Sequence, residues 1–430
     1  MPIFRKQARF CFIHSLVLAL FVVSIPAPLP AYSVLTHEQV VDFVWHSDIV
    51  KLLRERYPDI TPEQLREAHA YAYGGSLIQD MGYYPGGNKF FSDLVHYVRS
   101  GDFVMEMIRQ AQNADELAFA LGALAHYVSD TNGHPTVNRA VPIEFPKMRK
   151  KFGDVVTYSD DPPSHIQTEF GFDVLEVAKQ RYTSQAYHDF IGFEVSRPVL
   201  DRAFVATYGL ELHRVLSDED RAIGSYRHAV SVWLPRLTQT ALITKKDELR
   251  AIPNFNAKAF RYTLKRSAYE QEWGKNYYRP GFFAKFLAVI IKILPKVGPL
   301  RAIDPKPPTP QTEKMYIASV ERTVAAYRKF LGLTEEKHLA LVDSDLDTGN
   351  RTTPGEYKLA DRAYGRLLNE LAHKDFIGAS PALRQNILSF YSDLNRPFDT
   401  KRHKDDWQHL LENFDALKHQ PLSAQSTDVR

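Results

Sequence analysis

Ala114-Asp-Glu-Leu-Ala-Phe-Ala-Leu-Gly-Ala-Leu-Ala-His126-Tyr-Val-Ser-Asp130-Thr-Asn-Gly-His134 is the stretch on which the fold turns. From Ala114 to Asp130 it is a run of strong helix formers, apolar almost all round, and too long for a strand. It predicts a long buried helix. His126, Asp130 and His134 recur at intervals of four, so they share one helical face and present imidazole, carboxylate and imidazole in a line. The same spacing returns at His165 and Glu169. Imidazole and carboxylate are donors that suit zinc, and a carboxylate can bridge two ions.

Outward from this helix the pattern stays helical. Thr61-Pro62-Glu63-Gln64 has the form of a capping box with proline at the first helical position, and Thr36-His37-Glu38-Gln39 resembles a second box ahead of Val40, Val41, Phe43 and Val44. Further helical periodicity runs over about 165–182, 196–217, 219–242, 311–332, 356–373 and 380–393, and no series of alternating strands with hairpin turns is found. The fold class expected is all-α.

The first 31 residues read as a secretory signal peptide. Arg5, Lys6 and Arg9 form a positive start, Phe10 to Ile25 is mostly apolar, and Pro26-Ala-Pro-Leu-Pro-Ala31 breaks the helix before a cleavage point after Ala31. The protein expected is therefore secreted or periplasmic. Without the leader the chain carries 51 basic and 51 acidic residues. A neutral balance argues against a general nucleic-acid binder, so no stable nucleic-acid complex is expected. Cys11, within the leader, is the only cysteine. Thiolate ligands are thereby excluded, which leaves histidine, carboxylate and backbone groups for any metal.

The organisation expected is a leader at 1–31, a zinc-dependent helical domain at 32–245, a basic, aromatic and proline-containing segment at 246–310, and a helical region at 311–430. Residues 258–301 hold ten basic residues and two acidic ones, around the apolar run Phe282 to Leu294. Thirteen residues cannot span a bilayer. The run fits either an interfacial membrane helix with basic flanks or a helix buried in the core.

Nine residues make up the candidate metal pattern: Tyr32, His37, Asp80, His96, His126, Asp130, His134, His165 and Glu169. At a chain start on Tyr32, the free α-amine and its carbonyl can chelate a metal together with His37; alone, His37 is equally a residue of a helix's first turn. The loop Asp80 to Phe91 carries Tyr83, Tyr84, Phe90 and Phe91 among glycines. Those rings either contact a substrate or pack within the loop. No Gly-x-Ser-x-Gly, Gly-Lys-Ser/Thr or His-Glu-xx-His motif competes with this pattern.

The order of these residues resembles the zinc-dependent phospholipase C and S1/P1 nuclease superfamily. Members have an aromatic residue at the mature N-terminus, then His, Asp, His, a His-xxx-Asp pair, a His, and a His-xxx-Asp/Glu pair. Here Tyr32 stands where the family has Trp. The close spacing of Asp130 and His134, and Phe170-Gly-Phe-Asp173-Val-Leu175 after Glu169, are similar to the catalytic domain of glycosylphosphatidylinositol-specific phospholipase D. The resemblance covers roughly residues 32–180 and implies a compact multi-helix domain followed by additional C-terminal helices. It implies three Zn²⁺ ions: one on Asp80, His96, His126 and Asp130, one on His134, His165 and Glu169, and one on the Tyr32 amine and carbonyl, His37 and a bridging Asp130. The activity expected is hydrolysis of phospholipids by a zinc-activated water attacking phosphorus, with Asp80 as a possible general base and peripheral membrane contact through 258–301. The alternatives are an S1/P1-like single-strand nuclease or 3'-nucleotidase, and a non-enzymatic zinc-stabilised helical binding domain.

Overall fold

The computed structural model describes residues 34–84, 86–178, 194–228 and 305–420. The leader, Tyr32 and the basic segment 258–301 lie outside the described residues. The first half contains α1 (Val34–Val44), α2 (Val50–Arg56), α3 (Pro62–Leu77), α4 (Lys89–Tyr97), α5 (Ser100–Gln110), α6 (Ala114–Glu144), α7 (Pro146–Phe152), α8 (Pro162–Ala178), α9 (Arg197–Tyr208), α10 (Leu212–Val215) and α11 (Glu219–His228). The second half adds α12 (Pro310–Glu335), α13 (Lys358–Ala372), α14 (Pro381–Phe390) and α15 (Lys404–His419). Among the described residues there is no strand, only an isolated bridge between Ser344 and Arg351. The all-α expectation holds.

Helix α6 is the axis on which the site depends. Asn113 caps it by accepting from the Glu116 N–H, and it continues well past Asp130 through Pro135 and Pro142. Leu117, Phe119, Leu121 and Leu124 are fully buried, each worth about 1.5–3 kcal/mol against exposure. Helices α3 and α12 pack against α6. The approach of α3 is backbone to backbone: a Cβ added at Gly75 would lie 1.9 Å from the Phe119 carbonyl oxygen, and one at Gly122 would lie 2.0 Å from that of Ala72. Only glycine permits that distance. On the other side, the Tyr327 hydroxyl of α12 donates to the Leu121 carbonyl at 2.8 Å. One hydrophobic core includes residues from both halves, from Val40 and Leu53 to Leu367, Tyr391 and Leu417.

The capping box at Thr61 and Gln64 forms as expected. Thr36 does not cap a helix. It lies within α1, and its hydroxyl donates instead to Asp173 Oδ1 at 2.6 Å. The single helix expected over 196–217 is divided at Gly209, whose left-handed φ of 66° ends α9. The part of 219–242 beyond His228 lies outside the described residues. No helix among the described residues is long and apolar enough to cross a membrane.

Candidate metal centre

Five elements bring eight of the nine pattern residues together. Helix α1 carries His37, the 3₁₀ turn Ile78–Tyr83 carries Asp80, α4 carries His96, α6 carries His126, Asp130 and His134, and α8 carries His165 and Glu169. All eight are at most 2 % exposed. Asp130 is the hub. Its Oδ2 lies 3.0 Å from His126 Nε2 and 3.5 Å from His96 Nε2, and its Oδ1 lies 3.5 Å from both His37 Nε2 and His134 Nε2. His96 Nε2 is 3.4 Å from Asp80 Oδ1. Glu169 Oε1 is 3.0 Å from His165 Nδ1 and 3.8 Å from His134 Nε2.

Three groups of donors are tight enough to hold an ion: His37, His126 and Asp130; Asp80, His96 and His126; and His134, His165 and Glu169. Two donors on one tetrahedral zinc, each bonded at about 2.0–2.1 Å, stand about 3.3 Å apart, close to the spacings here. A helix turning 3.6 residues per turn drifts roughly 40° with each step of four. The ladder on α6 therefore winds, so that His126 serves two groups at one end and His134 the group at the other.

The fit to a metal can be tested on buried atoms. Asp80 Oδ1, His96 Nε2, His126 Nε2, both Asp130 oxygens, His165 Nδ1 and both Glu169 oxygens are buried with no hydrogen-bond partner. Native interiors rarely leave so many polar atoms unsatisfied in one place, and a cation satisfies them all. The far ring nitrogens are engaged. His96 Nδ1 donates to the Ser92 carbonyl and His126 Nδ1 to the Ser76 carbonyl, both at 2.8 Å, and His165 Nε2 donates to Asn138 Oδ1 at 2.9 Å. Those bonds fix the tautomer that leaves a lone pair facing inward, as in histidine ligands of metals.

The electrostatics agree. Burial and the stacked imidazole of His126, 4.3 Å away, push His37 well below its ordinary value, so it is neutral and able to ligate. Burial raises Asp130, but the close imidazoles of His126, His134 and His96 outweigh it, holding the carboxyl well below its usual range. Without a metal, burial pulls His96 down while the close carboxylates of Asp130 and Asp80 lift it to about 10. This pocket attracts positive charge, and in the absence of a metal His96 and His134 take up protons.

Several residues at the site have no metal-ligand signature in the sequence. Asn138 is one step further along the α6 ladder, with an amide rather than a ligand. Asp173 holds α1 through the Leu35 N–H at 3.0 Å and the Thr36 hydroxyl. Asp347, from the loop between α12 and α13, brings its Oδ1 to 3.2 Å from His134 Nδ1. The aromatic loop packs inward: Tyr83, Tyr84, Phe90 and Phe91 are buried, with Phe91 stacked on Phe204 and Tyr84 against Tyr226.

Comparison with known proteins matches residues 36–218 to the family described as zinc dependent phospholipase C. No curated protein and no solved structure matches the chain.

Proposed function

We propose, from the match of residues 36–218 to the zinc dependent phospholipase C family, that the protein is a secreted phosphodiesterase that hydrolyses phospholipids at phosphorus. The observation that carries this reading is the set of three adjoining donor groups, with Asp130 in one and 3.5 Å from a histidine of each of the other two, and with buried oxygen and nitrogen atoms that no hydrogen bond satisfies. His37 and Asp130, with the amine and carbonyl of Tyr32 if cleavage follows Ala31, would hold one zinc. Asp80, His96, His126 and Asp130 would hold a second, and His134, His165 and Glu169 a third. When bound, the zinc ions would neutralise the phosphate oxygens, make a water acidic enough to attack near neutral pH, and stabilise the leaving alkoxide.

The chain's own groups have the remaining tasks. Carbonyls of Ser76 and Ser92 and the amide of Asn138 lock three imidazoles in one tautomer. Asp130 reaches the His134 end as well as the two groups that share His126. Asp80 has one carboxylate oxygen without a hydrogen-bond partner and 3.4 Å from His96, which supports a role in accepting the proton of the attacking water. Burial of the rings at Tyr83, Tyr84, Phe90 and Phe91 assigns them to packing of the loop and leaves them no part in holding either substrate.

The test uses purified mature protein beginning at Tyr32, with bound zinc measured. Phosphatidylcholine liposomes and single-stranded DNA are offered side by side, with and without chelator. Chelator-sensitive release of diacylglycerol or phosphocholine is the expected result. Cleavage of DNA alone would establish a nuclease, and bound zinc without either activity would favour a structural zinc domain.

A further inference from the structure

We infer that Asp347, contributed by the C-terminal half, is the positioning residue for both histidines of the His134–His165–Glu169 group, so that the family-matched segment does not contain its whole metal centre. This rests on the zinc reading above. Asp347 reaches the two imidazoles by different atoms. Its Oδ1 lies 3.2 Å from His134 Nδ1, the ring nitrogen turned away from Asp130 and Glu169. Its backbone carbonyl accepts from Asn138 Nδ2 at 2.8 Å, and Asn138 Oδ1 in turn accepts from His165 Nε2 at 2.9 Å. A carboxylate behind a ligating imidazole fixes its orientation and raises its basicity. His96 and His126 have only backbone carbonyls in that position. The group held from the C-terminal half is therefore tuned differently from the others.

Asp347 is itself held firmly. Its Oδ2 accepts from the Tyr97 hydroxyl at 2.9 Å and from the Tyr357 hydroxyl, and its N–H donates to Asp345 Oδ1 at 3.0 Å. The neighbouring Leu346 N–H donates to the carbonyl of His96 at 3.1 Å. Two residues on, Gly349 has a φ of 71°, and a Cβ there would lie 2.4 Å from the Thr131 carbonyl oxygen. Glycine thus lets the loop lie directly on α6. Pro135 has no N–H for that carbonyl, which would otherwise accept its helical bond.

The experiment measures zinc alone, on full-length mature protein, by competition with a chromophoric chelator, with the cobalt-substituted absorption spectrum as a second readout. Asp347→Asn keeps the shape and removes the charge; Asn138→Ala cuts the relay to His165. Each is expected to weaken one class of zinc about ten- to a hundredfold, leave the remaining zinc unchanged, and alter the cobalt bands. Unchanged affinity in every class for both variants overturns the inference. So does equal weakening of all classes, which would make the loop a general scaffold. If Asp347→Asn fails to fold, Asn138→Ala is judged by the same two criteria. Wild-type protein that binds no zinc would instead overturn the metalloenzyme reading, before either variant is made.

Discussion

Thr36 Oγ1 donates a 2.6 Å hydrogen bond to Asp173 Oδ1, tying the helix that carries His37 to the helix that carries His165 and Glu169. The same carboxylate accepts the Leu35 N–H, and Thr36 also meets the Tyr316 hydroxyl at 2.9 Å. Asp173→Ala leaves buried donors without their acceptor and should cost about 3 kcal/mol, seen as a lower urea midpoint. It should also deplete the zinc bound at His37 before the others. Asp173→Asn keeps an acceptor for Thr36 and should lose less. Equal stability and zinc content in Asp173→Ala would show that α1 is held without this contact.

Asp130 stands within 3.5 Å of four imidazole nitrogens. An amide at this position can ligate through only one oxygen and carries no charge. Asp130→Asn should lose more than one zinc equivalent and slow phospholipid hydrolysis by at least about a hundredfold, since several kcal/mol of charge stabilisation is removed. Metal analysis and liposome turnover on the same preparation decide it. Full zinc occupancy with full activity would mean that Asp130 does not bridge.

Much of this centre was legible in the sequence because metal ligation restricts residue type and helices restrict spacing. His126, Asp130 and His134 declare one face of one helix. Asn138 continues the same ladder but carries an amide, which has many structural uses and no ligand signature. Asp347 was illegible for another reason: it reaches His134 from a loop more than 200 residues along the chain, and no local periodicity encodes that contact. Thr36 misled because Ser or Thr three residues before Glu or Gln is a short signal, while its actual partner lies 137 residues away. Helix class survived these errors, since α6 and α12 are set by long apolar patterns rather than by single residues.

Proton linkage gives a test independent of catalysis. In zinc-free protein, His134, like His96, is raised to about 10: burial lowers it, but Asp130, Asp347 and Glu169 outweigh burial. Both folded values exceed the ordinary 6.5. The stability these groups supply is therefore complete below 6.5 and lost as pH rises towards 10. Chelated protein should melt at progressively lower temperature across that window, whereas the zinc-loaded protein should not follow it. Zinc added at about pH 8 should displace a proton from each histidine. Calorimetry in buffers of different ionisation enthalpy reads this directly, and binding heats independent of buffer would refute the charged state.

Two glycine-to-alanine changes on long helices should differ in sign. At Gly332 in α12 an added Cβ meets nothing within 4 Å, so Gly332→Ala gains helix propensity and should stabilise by up to about 1 kcal/mol. At Gly122 the same Cβ would lie 2.0 Å from the Ala72 carbonyl oxygen and 2.8 Å from the Ser76 nitrogen. Gly122→Ala must push α3 away from α6 and should destabilise by about 1–3 kcal/mol. The effect would not stay in the core. Ser76, whose carbonyl orients His126, lies on α3, Asp80 follows directly after it, and His126 is one turn beyond Gly122. Separating the helices should therefore weaken zinc binding although no ligand is altered, and chelator competition on Gly122→Ala against Gly332→Ala measures this. If Gly122→Ala binds zinc as tightly as Gly332→Ala, the close crossing serves packing alone and the centre does not depend on it.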